Sequence, residues 1–395
     1  MTGAIAAINA GSSSIKFTLF ASAAGSELAR IADGSIDGVG TAPCFRARDQ
    51  DRSQVAEYRW TAGASRSHED LLSYLIGWIE SHAGPGALAA AGHRVVFGGA
   101  AHQAPVRIGP GMLEQLEALV PFMPLHLPHN LAAIRALAAT HPGLPQIACF
   151  DTAFHQTLPP LERCFALPRA LTEAGLVRYG FHGLSYEYIA TQLPDYDARA
   201  AQGRTIVAHL GNGASLCALV AGRSVGTTMG FSTLDGLVMG TRPGWIDPGV
   251  LLYLLREKGY SAERLERLLY DECGLLGVSG VSSDMRALLS SGGAAARQAV
   301  DLFCHRIVCA IGSLVAPLGG FDALVFTGGI GENAAAVRAQ IGKALAWLDL
   351  TVDAAANDRG GPRISTAGSG VSAWVIPTDE DLMIAQHTQE LIADG

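Results

Sequence analysis

Apolar positions follow two rhythms along the chain, and the changes between them mark out the elements. Ala4 to Ile8 and Ile15 to Phe20 are short β-like runs separated by Asn9-Ala10-Gly11-Ser12-Ser13-Ser14, which predicts a hairpin around a tight polar turn. The design recurs in the second half, where Thr205 to Leu210 and Ser215 to Ala221 flank Gly211-Asn212-Gly213-Ala214. A repeated strand-turn-strand unit points to two similar α/β domains related by duplication. Helical spacing replaces alternation at Leu71, Leu72, Leu75, Ile76 and Ile79, and again at Leu131, Ile134, Leu137 and Ala138. Ile147 to Phe150 predicts a short buried strand with Asp151 at its end. Further helices are predicted over Gly249 to Lys258, Ala262 to Glu272 and Ala295 to Val315. Ala323 to Thr327 predicts a strand running through a glycine turn, Gly328 to Asn333, into a helix from Ala334. Ala373 to Ile376 predicts a strand, Pro377 to Asp379 a turn and Leu382 to Ile392 a closing helix, while Asp353 to Gly370 is loop-like.

Composition narrows the class. The 395 residues suffice for two cores, and 49% hydrophobic against 16% charged residues excludes a disordered chain. The net charge of -8, with no basic stripe, argues against nucleic-acid or anionic-membrane partners. Any anionic ligand must then be met by a few placed cations. The seven cysteines are scattered without a C-x-x-C pair, and most read as reduced core residues. Met1 to Ala7 lacks a basic leader and reads as a strand, and no apolar run approaches the roughly 20 residues of a membrane span. The chain reads as a compact cytoplasmic enzyme.

Phosphate chemistry is suggested by the turns. Gly11 permits close backbone approach, Ser12 and Ser14 add hydroxyls, and Lys16 adds a point charge. The run His209-Leu210-Gly211-Asn212-Gly213 offers similar donors. Each could be an ordinary hairpin; two together favour a phosphate clamp between domains. Gly328 to Asn333, between a strand and a helix, suits an anion or a nucleotide. The same segment fits a loose G-x-G-x-x-A fingerprint with Asp349 as a ribose-binding acid, so a dinucleotide-dependent oxidoreductase is a rival reading. No Walker-type P-loop is present. Arg94, Arg178 and Arg242 lie beside glycines, where a guanidinium suits a carboxylate or a transferring phosphoryl group. Asp151, following an apolar strand, is placed for a ligand crevice.

Taken in order, Ile8 to Lys16, Gly92 to Val96, Phe150 to Gln156, Arg178 to Gly183, His209 to Gly213, Met239 to Arg242, Phe326 to Asn333 and Thr378 to Glu380 make the chain similar to the acetate kinases. That family belongs to the acetate and sugar kinase, Hsp70 and actin superfamily. The resemblance implies two duplicated actin-like (ribonuclease H-like) α/β domains with the active site in the cleft between them. It places residues 1–150 in the first, completed by the helix 381–395, and 151–380 in the nucleotide-binding second. It implies reversible transfer of the ATP γ-phosphoryl group to acetate, with propionate as the competing acceptor. Asp151, His182 and Arg242 would be catalytic. Arg94, Val96, Leu125, Phe181 and Thr233 would bind the carboxylate substrate. Ser12, Ser14, Lys16, His209, Leu210, Gly211, Asn212, Gly213, Asp284, Met285, Arg286, Gly329, Ile330, Gly331, Glu332 and Asn333 would hold ATP or ADP. Asn9 and Glu380 would lie at a Mg2+ site where Mn2+ can substitute, and the enzyme would be a homodimer. Because acetate is already ionised at neutral pH and needs no base, Asp151 is expected to orient an arginine, a metal-bound water or the substrate. A non-catalytic ATP-binding module would have no use for Arg94, His182 and Arg242 together.

Three segments depart from the family pattern. Phe97 stands where a histidine is common, Pro243-Gly244-Trp245 replaces Ser-Gly-Asp, and Ser232-Thr233-Leu234-Asp235 replaces Thr-Pro-Leu-Glu. The last bears on the acyl pocket, where one methylene is worth only about 1 to 3 kcal/mol of discrimination.

Overall fold

Gly3–Ala10 (β1) is apolar at almost every position because it is covered on both faces. It runs antiparallel to Ser14–Ser22 (β2) and parallel to Leu88–Val95 (β6). Between these in sequence come Ala29–Asp37 (β3), Cys44–Asp49 (β4) and Gln54–Arg59 (β5), followed after β6 by Val106–Arg107 (β7) and Gln146–Phe150 (β8). This computed structural model describes residues 3–22, 27–60, 66–83 and 88–393. The chain divides into two units, Met1–Phe154 with Asp379–Gly395, and His155–Thr378.

The sheet of unit 1 has the order β5-β4-β3-β2-β1-β6-β8-β7. Ala4, Ala6, Ile8 and Ala10 pack with Leu71, Leu75 and Ile79 of the helix His68–Ala83 and with Leu137 of the helix Leu127–Thr140. The last helix, Glu380–Ala393, packs on β1, β6 and β8 so closely that a Cβ at Gly92 would lie 2.3 Å from Thr388 Oγ1. Residues 394 and 395 of the expected closing helix lie outside the described residues.

Unit 2 repeats the centre of that sheet. Its strands, Arg204–Leu210 (β9), Ala214–Val220 (β10), Arg223–Thr227 (β11), Ala323–Thr327 (β12) and Ser372–Val375 (β13), take the order β11-β10-β9-β12-β13. As in β3-β2-β1-β6-β8, a hairpin leads into two parallel neighbours. The helix Ala294–Leu318 is long and apolar enough to cross a membrane, but Ala299, Phe303, Ile307, Ile311 and Leu314 form a buried stripe on it. It is a core helix.

Several sequence expectations shift. Asn9 is the penultimate residue of β1, paired with Lys16, and not part of the turn. Gly328 to Asn333 is itself helical, because Gly328 takes φ 76° and the chain turns upward directly from β12; the next helix is Ala335–Ala344. The helix from Ala262 ends at Arg267 and passes into a π turn, Leu268–Glu272. The loop-like segment contains a short helix, Ala354–Asp358, started by the Asp353 side chain accepting from Ala356 N. Asp151 and Glu380, assigned by sequence to the second domain, belong to unit 1: β8 delivers Asp151 directly, and Glu380 begins the helix that covers that sheet.

Candidate active site

Unit 1 gathers a charged group at the carboxyl ends of its parallel strands. Arg94 is the penultimate residue of β6 and Asp151 follows β8, so their side chains meet across neighbouring strands. Arg94 donates from Nε to Asp151 Oδ1 at 3.0 Å and from Nη2 to Oδ2 at 2.5 Å, a fork on a carboxylate that is 1% exposed. Its Nη1 reaches Asn9 Oδ1 at 3.3 Å, and Glu380 Oε2 lies 4.0 Å from its Nε. Burial disfavours the charge on Arg94, but the carboxylates of Asp151 and Glu380 outweigh it and raise its pKa. Val96, two residues on, is buried, and its N–H donates to Asn130 Oδ1 at 2.9 Å. Asn130 in turn donates to Ala10 O at 2.7 Å, tying the Arg94 segment to the first turn. Leu125 is 37% exposed in the connection before the helix Leu127–Thr140.

The first turn is closed by Gly11 N donating to Ser14 O at 2.9 Å. Ser12 and Lys16 are exposed, and Ser14 is half-buried. These three belong to unit 1. Phe97, at the family's histidine position, is fully buried and stacks on Phe122 at 5.6 Å. That makes it a core residue.

In unit 2 the second turn closes in the same way, Gly211 N donating to Gly213 O at 2.9 Å. His182 is the N-cap of the helix Gly183–Tyr196 in a left-handed conformation, φ 59°. Its ring lies against Gly213, where a Cβ would come within 3.2 Å of Nε2. Nδ1 is 2.9 Å from Ser215 Oγ, which also bonds Tyr186 Oη, and the ring stacks on His209 at 4.4 Å. His209 Nδ1 is held by Ser185 Oγ at 2.8 Å. The turn carrying Arg242 is attached to the glycine turn, since Gly240 N donates to Asn212 O at 3.0 Å. A Cβ at Gly240 would lie 1.9 Å from Asn212 Oδ1, so a larger residue there would make the Asn212 side chain turn away. Arg242 Nη1 donates to Thr233 O at 3.2 Å, and its guanidinium sits 5.8 Å over the Tyr270 ring.

Gly211, Asn212, Asp284, Met285, Arg286, Gly329, Ile330 and Asn333 line a cavity of about 670 Å³. Asp284 caps the helix Met285–Ser291 by accepting from Arg286 N at 2.9 Å, and its carboxylate also pairs with the Arg286 guanidinium. The remaining expected nucleotide residues of this unit stand behind that lining. Leu210 and Gly331 are buried backbone neighbours, and Gly213 and His209 support His182. Glu332 is committed elsewhere: its Oε1 accepts from Gly328 N at 2.9 Å and Thr378 N at 3.3 Å. Sequence reasoning missed Ser283, Leu289 and Ala334 in the lining. Leu289 was discoverable, one helical turn after Met285. Ser215, Ser185 and Tyr186, which orient the two histidines, carried no signal because their partners are distant in sequence.

Arg178 is structural. Its Nη1 reaches the carbonyls of Thr227, Thr228 and Met229 and the carboxylate of Asp235, fixing the loop that carries buried Thr233. Of the expected acyl-pocket residues, Phe181 and Thr233 belong to unit 2, and Val96 and Leu125 to unit 1. Among the described residues no group of three or more His, Cys, Asp or Glu could enclose a metal. Asn9 and Glu380 nevertheless present hard oxygens on either side of Arg94, which fits Mg2+, an ion that takes one or two protein oxygens and completes its shell from water and phosphates.

Glycine-closed turns, a cavity of about 670 Å³ and a forked arginine on two sheets that share a core strand order fit one class, a phosphotransferase with a carboxyl acceptor and an actin-like fold. The acetokinase family profile matches residues 4–386, and the chain belongs to that family. It is 54% identical to the acetate kinase of Rhodopseudomonas palustris over the whole of both chains, and 48% identical to that of Nitrobacter hamburgensis over 99% of this chain and 96% of the relative. Among solved structures, a propionate kinase from Francisella tularensis superposes with a TM-score of 0.91 at 36% identity, covering 98% of this chain and 99% of its own. The Porphyromonas gingivalis acetate kinase gives 0.87 at 32%, covering 99% and 100%. Membership of the family sets the oxidoreductase reading aside. Asp349 takes a left-handed conformation after the turn Ala346–Leu348, its carboxylate packed against Gly370 and its carbonyl accepting from Val371 N at 3.1 Å.

Proposed function

We propose that the protein catalyses reversible, Mg2+-dependent transfer of the ATP γ-phosphoryl group to acetate. A carboxylate oxygen of acetate attacks the γ-phosphorus, the bond to the β–γ bridging oxygen breaks, and acetyl phosphate and ADP leave. The observation that carries this reading is the placement of His182 against the Gly211 to Gly213 turn. If Tyr186 donates to Ser215 Oγ and Ser215 to His182 Nδ1, the ring proton resides on Nε2, at the glycine turn. A donor there, with Arg242 on the attached turn, stabilises charge on the phosphoryl group in flight, the main requirement of this chemistry. Arg94, oriented by Asp151, binds the acetate carboxylate. Asn9 and Glu380 would hold Mg2+, which supplies charge neutralisation on the phosphates.

The cavity of unit 2 takes the adenosine, and Ser12, Ser14 and Lys16 serve the terminal phosphates. The helix Pro248–Arg256 buries none of its residues, with Val250, Leu252, Tyr253 and Leu255 exposed, and we assign that apolar face to a homodimer contact. The free thiols fit a cytoplasmic location.

The test is acyl hydroxamate formation from MgATP and hydroxylamine with acetate, propionate or butyrate in turn. Acetate is expected to give the highest kcat/KM. A higher value with propionate would reassign the acceptor, in line with the function of the Francisella relative. No product from any acid, with folded protein, would remove the kinase reading.

A further inference from the structure

The last helix opens with three consecutive carboxylates, Asp379-Glu380-Asp381. Like charges so close repel, and an unsecured segment would leave Glu380 free to wander. The outer two are secured by side chains of the sheet. Arg30, on β3, donates from Nη2 to Asp379 Oδ2 at 2.7 Å, and Thr18, on β2, donates to Asp381 Oδ2 at 2.7 Å. Arg30 Nη1 also donates to Thr18 Oγ1 at 3.3 Å, so the two anchors form one network, with Thr18 buried and both its hydrogen and a lone pair engaged. Asp379 Oδ1 caps the helix by accepting from Leu382 N at 3.0 Å. The middle carboxylate is the one left facing Arg94, at 4.0 Å. Asp33 holds Arg30 from its other side at 3.5 Å, and the guanidinium lies 5.4 Å over the Phe20 ring.

We propose that Arg30 is a positioning residue for the reaction: acting through Asp379, it fixes the start of the last helix and aims the Glu380 carboxylate. This rests on the reading of Glu380 as a metal-binding group. Loss of Arg30 frees Asp379, and a carboxylate that is no longer aimed binds a cation more weakly. Supporting residues of this kind change metal affinity by about 10- to 100-fold.

The experiment measures Mn2+ binding to the full-length protein in the presence of ADP by electron paramagnetic resonance, alongside KM values for Mg2+ and for acetate. Arg30→Ala is expected to weaken Mn2+ and raise the Mg2+ KM about ten-fold, with the acetate KM changed by less than about two-fold. Arg30→Lys, which keeps a cation for Asp379, is expected to recover most of the loss. Glu380→Gln serves as the reference. If Glu380→Gln weakens Mn2+ and Arg30→Ala does not, the positioning role is overturned while the metal reading stands. If Glu380→Gln leaves Mn2+ binding unchanged, both fall. Should Arg30→Ala fail to fold, Arg30→Gln, which keeps a donor for Thr18 and loses the charge, decides between the same outcomes.

Discussion

The two units share a five-strand core order and a glycine-closed hairpin turn, yet they prepare for anions by different means. Unit 1 relies on full charges already paired with one another: Arg94 is forked on Asp151, with Asn9 and Glu380 beside it. Unit 2 relies more on backbone groups and orientable side chains, with His182 and Arg242 attached to one glycine turn and bonded to the Ser215 hydroxyl and the Thr233 carbonyl. Paired charges in a buried setting are stiff but expensive to break, because removing one partner strands the other. Backbone donors cost little to hold in place but demand that nothing bulkier than glycine stand near them. A duplicated scaffold can thus carry one site limited by electrostatics and another limited by space.

The contrast is broken most severely by removing the arginines. Arg242→Ala and Arg94→Ala are both expected to lower turnover by about 10³-fold or more. Arg94→Ala should also destabilise the protein, by about 3 to 5 kcal/mol, because the buried Asp151 carboxylate would lose the guanidinium forked on it. Steady-state kinetics with chemical denaturation checks this pair, and equal stability of the two variants would show that the Arg94 fork is not a structural ion pair. A smaller effect is expected from Gly240→Ala. The added methyl meets Asn212 Oδ1, the end of an exposed side chain that can turn away, so kcat should fall by about 10-fold or less with unit 1 intact, whereas Gly109→Ala, which meets open space, should be neutral. The last prediction sharpens what the units have in common. His93 in unit 1 and His155 in unit 2 are both about 1% exposed, and burial pushes each pKa down to about 4. The unfolded chain therefore binds protons at higher pH than the folded one. Stability should be full above about pH 6.5 and fall by about 1.4 kcal/mol per pH unit for each histidine as pH drops toward 4. Denaturation curves across that range should flatten by one histidine's share in His155→Gln, and an unchanged slope would mean that His155 does not titrate there.

Much of the scaffold is legible in the sequence, since apolar runs bounded by glycine turns locate β1, β2, β9, β10 and β12 to within two residues or so. The boundaries fail where hydrogen bonding is decided locally. Asn9 looks like a turn residue by composition but pairs with Lys16, and Gly328 to Asn333 looks like a turn but closes into a helix once Gly328 takes a positive φ. The candidate site residues come as a list from family pattern, whereas the partners Ser215, Ser185, Tyr186 and Arg30 belong to no local pattern at all.

What the sequence alone determined is the family, the order of elements and the residue types that must meet an anion, because periodicity and motif are properties of neighbours along the chain. Tertiary structure decided which partners those residues take: that Asp151 accepts from Arg94, that Glu332 accepts from backbone N–H groups, and that Gly240 lies close beside Asn212. Those outcomes depend on side chains brought together by strand pairing and packing. Distance in space, set by the parallel neighbours of β1 and β9, is information that no stretch of local sequence contains.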